Sequence, residues 1–92
     1  MIVGFQHKGL KLFYEKGNAS KLQPQLVAKI RLILTRLDAA VSPTDLNVPG
    51  YSLHQLTGDL AGSWAVKVDK DYRIVFRFDG VNTQDVDYLD YH

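Results

Sequence analysis

Ser63-Trp64-Ala65-Val66-Lys67-Val68-Asp69, followed after Lys70-Asp71 by Tyr72-Arg73-Ile74-Val75-Phe76-Arg77-Phe78, is the stretch whose reading decides the fold. Successive side chains of an extended chain point to opposite sides, so a period of two marks a strand with unlike faces. Trp64, Val66 and Val68 share one side of the first segment, with Ala65 and Lys67 on the other. In the second, Tyr72, Ile74, Phe76 and Phe78 share a side, and Arg73, Val75 and Arg77 take the opposite one. The two segments read as neighbours in an antiparallel meander, one face apolar and the other carrying Lys67, Arg73 and Arg77.

Outward from this pair, Asp79-Gly80 turns the chain, and Asp85 to Asp90 forms a last strand with Val86 and Tyr88 alternating against Asp87 and Leu89. On the other side, Thr57-Gly58-Asp59 and Gly62 mark a turn, and Tyr51 to Leu56 is a candidate strand. Val41 to Gly50 is loop, punctuated by Ser42-Pro43 and Pro49-Gly50. Upstream, the period becomes helical. Leu26, Val27, Ile30, Ile33, Leu34 and Leu37 recur at steps of three and four, with Ser20 as a cap and Pro24 in a first turn. His7 to Lys16 places Leu10, Phe13 and Tyr14 at helical spacing before a stop at Gly17. Met1 to Phe5 is a short edge strand. The expected architecture is α+β: two N-terminal helices, as a hairpin, packed on a small, mainly antiparallel sheet in one domain spanning 1–92.

Bulk properties exclude several classes. The 92 residues leave room for one modest core. Without cysteine there is no disulfide and no thiolate metal site. The start at Met1 has no signal-peptide pattern, and no apolar run is long enough to span a bilayer, so the expected location is cytoplasmic, with no membrane partner. Residues 1–46 carry seven Lys or Arg against three acids, and residues 47–92 carry four against seven. A basic helical half suits contact with phosphates, and equally a solvated helix face.

Phosphate-binding glycine loops, nucleophile elbows and helical zinc-binding histidine pairs are absent. The residues of interest are Asp90, Tyr91 and His92, with Arg73 and His54 as neighbours. RNA cleavage by the adjacent 2′-hydroxyl needs a base for that hydroxyl, an acid for the leaving 5′-oxygen, and positive charge for the phosphorane-like transition state. Histidine suits either proton role, arginine matches phosphate oxygens, and tyrosine stacks on a base. Each residue also has a plainer reading: a frayed terminal histidine, a surface arginine in a strand, a tyrosine over the sheet edge, an aspartate paired with a nearby cation.

Several segments resemble the HigB family of mRNA interferases in the RelE/ParE superfamily. They are His7-Lys8-Gly9-Leu10-Lys11-Leu12, Leu53-His54-Gln55-Leu56-Thr57-Gly58-Asp59, the pair Trp64-Ala65-Val66-Lys67-Val68 and Asp71-Tyr72-Arg73-Ile74-Val75-Phe76, and the closing Asp90-Tyr91-His92. The likeness runs through nearly the whole chain, and is most specific at the Tyr-Arg-Ile strand and the ending. It implies a RelE/ParE-like toxin domain that cuts mRNA in the ribosomal A site. The implied products carry a 2′,3′-cyclic phosphate and a 5′-hydroxyl, with no metal or other cofactor. By position it implies that Arg73 stabilises the scissile phosphate and that Asp90 and His92 move protons, with His54 a second candidate. Tyr91 would orient the nucleotide, and Lys67 and Arg77 would bind RNA. The implied partner is a HigA-like helix-turn-helix antitoxin, through which alone the toxin would touch operator DNA. Thr57 stands where some relatives carry lysine, and Asp71 where asparagine is common. These departures keep a non-catalytic antitoxin-binding co-repressor in view as an alternative. A ParE-like gyrase inhibitor is another, on the same fold but without a nuclease site, and the closing Asp90-Tyr91-His92 argues against it.

Overall fold

Helix α1 (Lys8–Lys16) starts where His7, in extended backbone, turns its ring Nδ1 to accept the Leu10 N–H at 3.1 Å. It ends at Gly17, whose φ of +69° suits glycine and whose N–H donates to Phe13 O at 2.9 Å. The second helix is led in by a single 3-10 turn, Pro24–Leu26, and continues as α2 (Val27–Ala39). Ser20 does not cap it: its N–H donates to Asn18 Oδ1 within the connector, and Gln23 is the residue before Pro24. Both helices bury one stripe. Leu10 and Phe13 from α1, and Ile30, Ile33, Leu34 and Leu37 from α2, lie in the core. The Tyr14 hydroxyl on α1 donates to Asp38 Oδ1 on α2 at 2.6 Å, which ties the helices to each other.

This computed structural model describes residues 1–90. Four strands follow the helices in the order β1 (His54–Gln55), β2 (Trp64–Lys67), β3 (Tyr72–Asp79) and β4 (Asn82–Asp90), all neighbours antiparallel. The helices cover the side bearing Val66, Ile74, Phe76 and Val86, all fully buried. The N-terminal segment runs parallel beside β4: Val3 N–H donates to Thr83 O at 2.8 Å and Gln6 N–H to Val86 O at 2.8 Å. The expected edge strand is therefore present as a pair of bridges on the outer edge.

Three details depart from the simple alternating pattern. The expected strand over 51–56 is reduced to His54–Gln55, because Ser52 takes a φ of +51° and the Tyr51 N–H closes a turn onto Val48 O. The last strand begins at Asn82, before the expected Asp85, because Gly80 (φ +63°) makes a tight hairpin that pairs Asp79 with Asn82. A bulge then sets one residue of β3 (Phe76, between Val75 and Arg77) against two of β4 (Asp85 and Val86, between Gln84 and Asp87), with Asp85 at φ +53° absorbing the extra residue. The bulge lets Thr83 join the buried face, where its hydroxyl donates to Leu37 O.

Candidate functional site

Cross-strand partners share a sheet face, so the register locates the chemistry. His54 pairs with Ala65, Ala65 with Val75, and Val75 with Asp87, a row across all four strands. The adjoining row on the same face is Lys67, Arg73 and Leu89. Neighbouring strands lie about 4.8 Å apart and same-face residues about 7 Å apart along a strand. His54, Lys67 and Arg73 therefore share the face turned away from the helices, Lys67 and Arg73 as direct partners and His54 one row further along the sheet. The strand period brings Arg73 there, and the β1–β2 turn folds His54 back onto it: Leu56 N–H donates to Ser63 O at 2.9 Å.

His54 is exposed, with Nδ1 2.9 Å from Ser52 O. A carbonyl oxygen only accepts, so Nδ1 carries the proton in this contact and Nε2 is left as the basic nitrogen. Arg73 is half-buried, and its Nε and Nη1 are shielded from solvent. A guanidinium held in a partly dry setting meets a phosphate more strongly than one in open water. Lys67 adds a second cation from the adjacent strand.

Arg77 shares this face but is engaged elsewhere. Its Nη1 faces Ala61 O at 3.4 Å and Ser63 Oγ at 3.5 Å, and a Cβ on Gly62 would stand 3.0 Å from its Nη2. It holds the loop 58–63 against β3. Asp90 pairs with Tyr72, which places it by alternation on the helix-bearing face, at the last position of β4. Tyr91 and His92 lie outside the described residues. Asp71 precedes β3, in the turn where Asp69 Oδ1 accepts from the N–H groups of Asp71 and Tyr72, so strand alternation does not extend to it. Thr57 is exposed ahead of the 3-10 turn Gly58–Leu60.

The sequence reading missed the acidic side of this face. A cavity of about 280 Å³ is lined by Val75, Leu89 and Leu60, with Arg77, Asp85 and Asp87 among its polar walls. Val75 in its lining, and Ala65 beside it on β2, are buried although they face away from the helices. The face thus runs from cations at Lys67 and Arg73 to carboxylates at Asp85 and Asp87. The bulge is what turns Asp85 to the cavity, where Gln6 Nε2 donates to its Oδ1 at 3.1 Å. A second cavity, about 270 Å³, lies between α1 and α2 around Phe13, Arg31, Leu34 and Asp38, with Arg31 over the Phe13 ring. Among the described residues, no three metal-ligating side chains gather, and no helix is long and apolar enough to cross a membrane.

Comparison with known proteins agrees with this fold. Among solved structures, YafQ from E. coli superposes with a TM-score of 0.65 at 14% identity, covering 99% of this chain and 94% of that one. A YoeB/ParE toxin from Agrobacterium tumefaciens gives 0.64 at 18% identity, covering 100% and 99%. These likenesses establish the RelE-type fold. In sequence, the chain is 41% identical over 92 residues to Endoribonuclease HigB of Proteus vulgaris, with both chains covered completely. It is 37% identical over 97 residues to Toxin HigB-1 of Vibrio cholerae, covering 100% of this chain and 98% of that one. Residues 3–92 match the family described as the RelE-like toxin of type II toxin-antitoxin system HigB, and the chain belongs to that family.

Proposed function

We propose that this protein is a ribosome-dependent endoribonuclease that cuts mRNA in the A site, acts in the cytoplasm as a single toxin domain, and is held in check by a HigA-like antitoxin. The observation that carries this reading is the shared face of His54, Lys67 and Arg73. In the reaction, a base removes the proton of the 2′-hydroxyl, whose oxygen attacks the adjacent phosphorus. The P–O5′ bond breaks and an acid protonates the departing oxygen, leaving a 2′,3′-cyclic phosphate and a 5′-hydroxyl. Arg73 and Lys67 stabilise the charge that gathers on the phosphorane oxygens. His54 offers a basic Nε2 on the same face. Asp90 lies at the end of β4 on the opposite face, so its part in proton transfer, with those of His92 and of Tyr91 in orienting the nucleotide, is supported by the family resemblance and not by the register. A type II toxin family implies an antitoxin as partner, and operator DNA is reached through it.

The test is incubation of the purified protein with a reporter mRNA, with and without translating ribosomes, followed by analysis of the new ends. Cleavage only with ribosomes, leaving cyclic phosphate ends, is the expected result. Intact mRNA in both conditions, together with gyrase-dependent DNA breaks, would replace this reading with gyrase inhibition.

A further inference from the structure

Gln23 stands just before the turn into α2, yet its side chain reaches two residues 49 and 65 positions away. Its Nε2 donates to the Tyr72 hydroxyl at 2.8 Å, and its Oε1 accepts from the Tyr88 hydroxyl at 2.8 Å. A hydroxyl both donates and accepts, so either orientation of the amide keeps both bonds. The two rings stack with centroids 4.9 Å apart and planes 15° from parallel. The His7 ring meets the Tyr88 ring edge-on at 5.5 Å, which joins the start of α1 to the same cluster.

The position of this bridge gives it consequence. Tyr72 opens β3 and immediately precedes Arg73, and its register partner is Asp90. Tyr88 lies on β4 two residues before Asp90. Strand ends fray most easily, because few ladder bonds hold them. Here one amide holds both strands at that end, from the side opposite Lys67 and Arg73. We propose that Gln23 is a positioning residue for the cleavage reaction: by bridging Tyr72 and Tyr88 it fixes the ends of β3 and β4, and with them the placement of Arg73 relative to Asp90. The proposal rests on the nuclease reading above. Gln23 lies on the helix-bearing side of the sheet, bonded to Tyr72 and Tyr88 and away from Lys67 and Arg73, so its removal should act on the chemical step and leave ribosome binding alone.

Three variants test this in single-turnover cleavage on programmed ribosomes. Gln23→Leu removes both bonds with little change of volume and should lower kcat about 10- to 100-fold with KM unchanged. Gln23→Glu offers an acceptor to each tyrosine hydroxyl and should restore most of the rate. Adding Tyr72→Phe to Gln23→Leu should cost nothing further, since both break one bridge. Amide hydrogen exchange supplies a reading independent of cleavage: Arg73 and Asp90 should exchange about 10-fold faster in Gln23→Leu. Wild-type kcat in Gln23→Leu, a loss confined to KM, equal damage in Gln23→Glu, or unchanged exchange would each overturn the proposal. Wild-type protein that cuts nothing, with exchange still accelerated in Gln23→Leu, would refute the nuclease reading while leaving the bridge in place.

Discussion

At the residue scale, the clearest electrostatic pair is Tyr14 and Asp38. The Tyr14 hydroxyl bonded to Asp38 holds that carboxyl below its usual value of 3.8, helped by the Ile2 N–H, which donates to the same oxygen at 3.0 Å. The same bond pushes the Tyr14 hydroxyl up to about 12, with burial adding to it. The signs follow by linkage. A lowered carboxylate contributes stability that is present above pH 3.8 and is lost as pH falls through the folded-state value. A raised tyrosine contributes stability that is present below pH 10.0 and is lost as pH rises through about 12. Both groups are partly open to water, so the pair is worth about 1 kcal/mol or less. Urea unfolding of wild type and Asp38→Asn, compared between about pH 6 and about pH 3, should show the gap between them closing at the acid end. A constant gap would mean that the carboxylate charge contributes nothing. His54 gives a functional prediction at this scale. It is exposed, so His54→Ala should leave stability within about 0.5 kcal/mol while lowering cleavage by at least about 100-fold. Circular dichroism and single-turnover cleavage measure the two quantities.

At the scale of elements, Gly9 sets helix propensity against packing. Alanine is favoured over glycine in a helix by about 1 kcal/mol. A Cβ at Gly9 would stand 2.7 Å from Lys21 Cβ and 2.8 Å from His7 Cε1, so the connector and the capping ring would both have to shift. Overpacking of that kind costs about 1–3 kcal/mol, and Gly9→Ala should therefore be destabilising in a urea titration; a stabilised variant would show that the connector yields freely. The elements also show what the sequence revealed. The period of two placed β2 and β3 and put Lys67 and Arg73 on one face, because alternation is a local property of extended backbone. It overextended the strand before His54, since Ser52 leaves the β region with no glycine at its own position to signal it. It missed the bulge at Asp85, which depends on how two strands pair, and with it the acidic side of the cavity. Gln23 was invisible for the same reason: nothing near it in sequence points to Tyr72 or Tyr88.

At the scale of the whole molecule, a body of 30 × 27 × 26 Å divides its work between the two sides of one sheet. The helix side carries the main core, and the open side carries the cations and His54. Defects on the two sides should therefore differ in kind. Ile74 is fully buried under the helices, and Ile74→Ala should cost about 2–5 kcal/mol of stability, with activity falling only in proportion to the unfolded fraction. Arg73 is the next residue along the same strand and points the other way.

That contrast makes the single-turnover cleavage rate of Arg73→Ala on ribosome-bound mRNA, measured beside its unfolding curve, the most direct test. The expected result is a folded protein whose rate falls by about 100-fold or more, with Arg73→Lys recovering part of it. A wild-type rate in folded Arg73→Ala would contradict the assignment of this sheet face as the site of cleavage.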